Sequence, residues 1–281
     1  MKLALGTVQF GLDYGVTNTQ GIVPRNEVKK ILNAANSSGI TMLDTAAAYG
    51  SSELLLGELA KDRFEIISKI PPLRTVSNSI RQCLTLTLQR LSVNNLHCLM
   101  FHDEKDIYDN QNHIELLKLK EIGLTSKIGC SLYSLEALEF ILNKSKEVDI
   151  IQVPANCLDH RFVKSGLLSK AKERGIEIHC RSLFLQGLLL DRESLPDSLK
   201  EFSREINCFF EYAEYNKLKP IELALTYLVQ NELIDFGVIG CQSVEQLDEI
   251  TSAYNKIKNL NLPIEQLASS SEVLLNPSLW S

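Results

Sequence analysis

The chain has 281 residues, 44% of them hydrophobic and 23% charged, a composition too apolar for intrinsic disorder and sufficient to bury a large core. With 29 Lys and Arg against 35 Asp and Glu the formal charge is −6, opposite to the basic footprint of a nucleic-acid or anionic-membrane binder, and a small-molecule partner fits better. No apolar run approaches the about 18 residues of a membrane span, and the opening MKLALGTVQFGLDYG turns polar too early for a secretion signal, so a cytoplasmic location is expected.

Short β-type runs recur along the chain, ending near Gly6, Asp44, Lys69, His102, Ser131, Val153, Ser182 and Gly240. Helical periodicity fills the spaces between them. Val28, Ile31, Leu32 and Ala35 fall at i, i+3, i+4, i+7, and Ile80, Leu84, Leu88 and Leu91 repeat a similar stripe. Gly39 and Gly175 stand where helix C-terminal caps belong, just before the next strand. Each interval holds one helix, and the longest, Ser182 to Gly240, has room for two. After the last run, Ser243-Val-Glu-Gln246 reads as a capping box opening a helix whose exposed N–H groups suit a phosphate; a purely structural role stands beside that reading.

Eight βα units in a chain of this length predict an α/β fold, a single (β/α)8 (TIM) barrel over residues 1–281. There is no G-x-G-x-x-G and no phosphate-binding P-loop, so the glycines give a doubly wound dinucleotide fold no support. The seven Cys contain no C-x-x-C pair and are expected to be reduced, neither nucleophiles nor ligands; the five His show no metal-ligand spacing, and no metal is expected.

In such a barrel chemistry occurs at the C-terminal strand ends. Asp44 closes ITMLD, Tyr49 follows in TAAAYG, Lys69 closes FEIISK and His102 closes LHCLMFH. Singly, Asp44 could cap a helix, Tyr49 could be a rim aromatic, Lys69 could snorkel, and His102 could be a core histidine. Together they would converge on one mouth. There Asp44 would keep Lys69 charged, the ammonium would lower the Tyr49 pKa toward a value useful for proton transfer, and His102 would orient a carbonyl or relay a proton.

The segment from Gly39 through Asp44, Tyr49-Gly50 and Glu53 to Gly57 resembles the first signature of the aldo-keto reductases. The run from Leu88 to His102 is similar to the second, with Asn95 where an Asp is common, and Lys69 completes the family's tetrad. The likeness continues through Gly6-Thr7, Ile128 to Ser131, Gln152 to Asn156, and Gln186 to Leu189. It implies catalytic roles for Asp44, Tyr49, Lys69 and His102, and an extended nicotinamide cofactor lying across the barrel mouth without a Rossmann unit. By position, Gly6, Thr7 and Asp44 would border that cofactor. Ser131 and Gln152 would hold its carboxamide, and Arg181, Ser182, Leu183 and Gly187 would line its nicotinamide and pyrophosphate path. Gly240, Gln242, Gln246 and Glu249 would lie at its adenosine end.

At the cofactor end the sequence departs from the family pattern in three places. Arg181 stands where many members carry an aromatic that stacks on nicotinamide, Gly240 and Gln246 stand where some use Lys and Arg for the 2′-phosphate, and Ile250 replaces a frequent Asn. NADPH is the expected cofactor, with NADH as the alternative. The expected reaction is reduction of an aldehyde or ketone to an alcohol. Asp13, Tyr14 and Arg181 hint at a hydroxylated, sugar-derived carbonyl substrate. Loops about Asp103–His113 and Leu188–Pro196 and the tail Leu279-Trp280-Ser281 are expected as its walls, with Trp280 either a lid or packed on the barrel. Two rival functions remain: a lyase forming a Schiff base through Lys69, and a non-catalytic module that binds a nicotinamide cofactor as a redox sensor. Composition chooses no oligomeric state.

Overall fold

A computed structural model describes residues 1–145 and 147–280. Its strands are β1 (Leu3–Gly6), β2 (Met42–Asp44), β3 (Glu65–Ile70), β4 (Leu96–Phe101), β5 (Thr125–Ser131), β6 (Ile150–Pro154), β7 (Glu177–Arg181) and β8 (Phe236–Ile239). They pair in parallel and in sequence order, and β8 returns to β1 through Leu3 opposite Gly237, closing an eight-stranded barrel. Each strand ends within one residue of its expected position. Closure buries strands on both faces, so they read in sequence as continuous apolar runs rather than alternating ones.

Around the barrel lie α1 (Arg25–Ser37), α2 (Ser52–Leu59), α3 (Ile80–Leu91), α4 (Asn110–Glu121), α5 (Leu135–Lys144), α6 (Arg161–Lys164), α7 (Leu167–Glu173), α8 (Ser203–Tyr215), α9 (Pro220–Gln230), α10 (Val244–Lys256) and α11 (Glu272–Leu275). The stripe Val28, Ile31, Leu32 and Ala35 is the buried face of α1. On α3 the stripe buries Ile80, Leu84 and Leu91, and Leu88 packs partly buried at its edge. Gly39 and Gly175 both take left-handed backbone just past their helices, as their cap positions require. The long interval before β8 holds two helices, α8 and α9, as its length implies. The interval between β6 and β7 holds two short ones instead of one.

Two layers of apolar side chains hold the fold. Ala4, Met42, Ile67, Cys98, Met100 and Ile150 fill the barrel interior, while the outer strand faces pack against the helices in one continuous core. The N-terminal end of the barrel is closed by polar pairs: Lys127 and His179 both bond Glu177, at 2.5 and 2.6 Å. Burial alone would raise the Glu177 pKa, but these two partners hold it down at about 2. Polar residues at that end hold strands together. The opposite end, where Gly6 pairs with Asp44 and Ser131 with Gln152 in register, is left to carry the site.

Candidate active site

The turn after β2 is fixed by a net of hydroxyls before any chemistry is considered. The Thr7 hydroxyl donates to the Asp44 carbonyl at 3.1 Å, Ser52 donates to Thr7 at 2.8 Å, and Thr45 and Ser52 share a hydrogen bond of 3.1 Å. Within that turn the Tyr49 N–H donates to the Ala46 carbonyl and the Ser52 N–H to the Tyr49 carbonyl, both at 3.0 Å. The tyrosine is therefore presented by a rigid support.

Beneath it the Lys69 ammonium donates to Asp44 Oδ1 at 2.5 Å and to the Thr45 carbonyl at 3.2 Å. Both charged residues are almost fully buried, Lys69 at 1% and Asp44 at 3% exposure, so neither charge can be solvated except by the other and by their neighbours. Gln152, 108 residues from Asp44 in sequence, supplies the remaining partner, its amide Nε2 donating to Asp44 Oδ2 at 2.7 Å. The Lys69 ammonium lies 5.5 Å from the centre of the Tyr49 ring, and His102 meets that ring edge-on at 5.8 Å between centroids. All four expected catalytic side chains thus line one cavity.

Their electrostatics differ from expectation in one respect. The Tyr49 hydroxyl is pushed up, not down, first by burial and then by the negative charge of Asp44, with Arg181 opposing. With burial and Asp44 outweighing Arg181, the phenol stays protonated at pH 7. His102 is pushed down to about 4, chiefly by burial, then by the Lys69 and Arg181 charges against the pull of Asp44. It is a neutral imidazole at pH 7. The buried, bonded Lys69 ammonium has no lone pair to offer a carbonyl, which disfavours the Schiff-base reading.

The cavity, of about 600 Å³, runs from these four residues past the ends of β1 and β8 to the first turns of α10. Every position expected at a cofactor lines it: Gly6, Thr7, Asp44, Ser131, Gln152, Arg181, Ser182, Leu183, Gly187, Gly240, Gln242, Gln246 and Glu249. Its shape suits an extended ligand. Two further observations fit a polar one: Gln9 Oε1 is buried there with no hydrogen-bond partner, and a Cβ on Gly240 would strike the Gln9 amide at 2.8 Å. Gln9 and Tyr133 also line it without having been singled out in the sequence, although they follow β1 and β5 within three residues and the strand-end rule would have found them.

At the rim the structure departs from expectation. The helix α10 begins with Ser243 Oγ accepting from the Gln246 N–H at 3.3 Å, but the Gln246 side chain accepts from the Gln242 N–H at 2.8 Å instead of closing the box on Ser243. Glu27 Oε1 accepts the Val244 N–H at 3.1 Å. The N–H groups expected to be exposed for a phosphate are therefore largely engaged. No residue from Asp103 to His113 lines the cavity; that loop turns aside because Glu104 accepts from the Tyr133 and Ser134 N–H groups and Asp106 from the Leu73 N–H. Leu190, Asp191 and Tyr14 do line it, whereas Asp13 does not. From the tail, Asn276, Pro277 and Ser278 reach the cavity, while Trp280 packs against the core and donates to the Val273 carbonyl at 2.8 Å, so it is not a lid. Ser281 lies outside the described residues.

The chain is thus a closed parallel barrel whose C-terminal mouth brings Asp44, Tyr49, Lys69 and His102 to one cavity. The Aldo/keto reductase family model matches residues 2–274, and the chain belongs to that family. It is 24% identical to the L-galactose dehydrogenase of Arabidopsis thaliana over 98% of this chain and 92% of that protein. It is 26% identical to the glyoxal reductase of Bacillus subtilis over 64% of this chain and 67% of that protein. Its fold matches the holo form of the aldo-keto reductase AKR11C1 from Bacillus halodurans at a TM-score of 0.78 and 18% identity, over 100% of this chain and 95% of that one. The protein is an oxidoreductase whose family uses nicotinamide cofactors. Among the described residues no helix is long and apolar enough to cross a membrane.

Proposed function

We propose that the protein is a cytoplasmic carbonyl reductase that takes an aldehyde or ketone to the alcohol. The observation that carries this reading is the buried Asp44–Lys69 ion pair beneath Tyr49, with His102 against the same ring, at the mouth of one cavity. A bound reduced nicotinamide supplies the hydride. Tyr49, held protonated by burial and Asp44, donates the proton that the developing alkoxide requires. Lys69 and Asp44 fix the tyrosine's surroundings, and Gln152 fixes Asp44. Neutral His102 donates one ring N–H to the carbonyl oxygen.

Ser131 and Gln152 would hold the carboxamide, Arg181 would border the nicotinamide, Ser182, Leu183 and Gly187 would line the pyrophosphate path, and Gln242, Gln246 and Glu249 would lie at the adenosine end. NADPH is favoured over NADH by a narrow margin at most, since among the described residues no Lys or Arg lines the cavity near α10, and the Glu249 carboxylate there, paired with Lys219 at 3.3 Å, offers a 2′-phosphate no donor. The polar rim and the likeness to an L-galactose dehydrogenase support a hydroxylated, sugar-derived substrate. A panel of aldehydes and ketones offered with NADPH and with NADH, followed by nicotinamide absorbance, tests the reading. Aldehyde-dependent oxidation of cofactor is expected; cofactor binding without turnover of any carbonyl would favour the redox-sensor alternative instead.

A further inference from the structure

Arg181, at the end of β7, is the arginine that this fold leaves without a counter-ion in its most sensitive place. Elsewhere buried carboxylates meet their arginines directly: Arg90 donates to Glu53 at 2.6 Å, and Arg161 donates to Asp159 at 2.9 and 2.8 Å. Arg174 is satisfied by three carbonyls, of Ile141, Leu142 and Ser145. Arg181 has only two long bonds to neutral oxygens, Nη1 to the Ser182 hydroxyl at 3.3 Å and Nη2 to the Leu132 carbonyl at 3.2 Å. Its Nε is buried with no partner, and it forms no ion pair among the described residues. The guanidinium carbon sits 4.1 Å from the centre of the Tyr133 ring, which fixes the plane of the fork.

Its position makes this charge consequential. It lines the cavity with Tyr49, and its field acts on the reacting end: it favours the ionised forms of Tyr14 and Tyr49 and disfavours protonation of His102. Asp44 cannot neutralise it, because both Asp44 oxygens are committed to Lys69 and Gln152. A half-shielded guanidinium with unspent donors is complementary to an oxyanion, which it can meet with two parallel charge-assisted bonds.

We propose that Arg181 anchors an anionic group of the substrate, so that the carbonyl compound carries a carboxylate or phosphate a few bonds from the reacting carbon. This rests on the reductase reading above and narrows its substrate class. A sugar acid or a phosphorylated sugar aldehyde satisfies both the polar rim and this charge.

The test compares matched pairs with the same cofactor: succinic semialdehyde against pentanal for carboxylate, and glyceraldehyde 3-phosphate against glyceraldehyde for phosphate. In the wild type at least one anionic member should exceed its neutral partner in kcat/KM by about tenfold or more, mainly through KM, as a charge-assisted contact to the anion implies. Arg181→Gln should abolish that ratio, and Arg181→Lys should restore part of it. In parallel, calorimetric titration of succinate and of inorganic phosphate into the protein with NADP+ reads the anion site without turnover; binding should weaken at least tenfold in Arg181→Gln. If neutral aldehydes are reduced but neither anionic partner is preferred, the proposal fails while the reductase reading stands. If Arg181→Gln instead loses NADP+ affinity and keeps the anion preference, the arginine serves the cofactor and the proposal is overturned. If no carbonyl is reduced at all, the reductase reading fails, and the anion titration alone then judges Arg181.

Discussion

Tyr49 illustrates how neighbours decide what a side chain can do. A tyrosine near a lysine reads as an acidified phenol, but burial and then the Asp44 carboxylate raise the hydroxyl instead. A general acid that keeps its proton until an alkoxide forms suits reduction. Lys69→Met leaves Asp44 buried without its counter-ion and should cost nearly as much activity as Tyr49→Phe. Because the residues act as one unit, the double variant should be little worse than either single one, and multiplying losses in kcat/KM would contradict that coupling. His102 carries a pH signature of its own. Its folded-state pKa of about 4 lies below its ordinary 6.5, so below pH 6.5 the unfolded chain binds the proton more readily. Stability is then lost as pH falls toward 4. Thermal melting across pH 4–7 should show this loss in the wild type and a flatter profile in His102→Gln, while the kcat/KM profile should show no inflection near 6.5. An unchanged melting profile in the variant would remove His102 as the source.

At the scale of elements, the cavity is shaped by loops that lean on one another. Ser182, Leu185, Gln186 and Gly187 all have positive φ after β7, and this tight path brings the Gln186 carbonyl to accept from the Val16 N–H at 3.2 Å. A Cβ at Gly187 would meet Thr17 Oγ1 at 2.0 Å. Gly187→Ala is therefore expected to push the loop after β1 away and weaken cofactor affinity by about tenfold or more, about 1.4 kcal/mol; fluorescence titration with an unchanged affinity would show that this contact does not shape the site. On the other flank, Gln242 Nε2 donates to Asn18 Oδ1 at 2.6 Å and Gln246 braces the Gln242 N–H. Gln246→Arg would give up the brace but bring a cation to the segment. It should raise the NADPH-to-NADH affinity ratio about 5–30-fold, or about 1–2 kcal/mol, and a constant ratio would mean that this segment does not face the adenosine ribose. Strand ends and helix stripes were legible because barrel closure imposes apolar runs and outer helices impose a 3.6-residue period. The loop contacts were not. Gln152 reaching Asp44, or Glu27 reaching Val244, depends on side chains far apart in sequence that no local pattern couples.

Taken whole, the molecule divides its labour between its two ends. The N-terminal end spends its ionisable groups on one another, as with Lys127, Glu177 and His179, while the C-terminal end keeps a protonated phenol, a neutral imidazole and a single unpaired guanidinium around one cavity. The four strand-end residues were recognisable in the sequence because parallel pairing sends every strand end to the same mouth. Arg181 was legible as a departure at the cofactor, but not as a charge without a counter-ion, which needs every neighbour in place. The central claim is that Tyr49 is the proton donor of a carbonyl reduction, and the most direct measurement is aldehyde-dependent cofactor oxidation by wild type and Tyr49→Phe, with cofactor affinity measured on the same preparations. Affinities within about twofold and a rate lower by about 10²–10⁴-fold in the variant are expected. An undiminished rate in Tyr49→Phe would contradict that role.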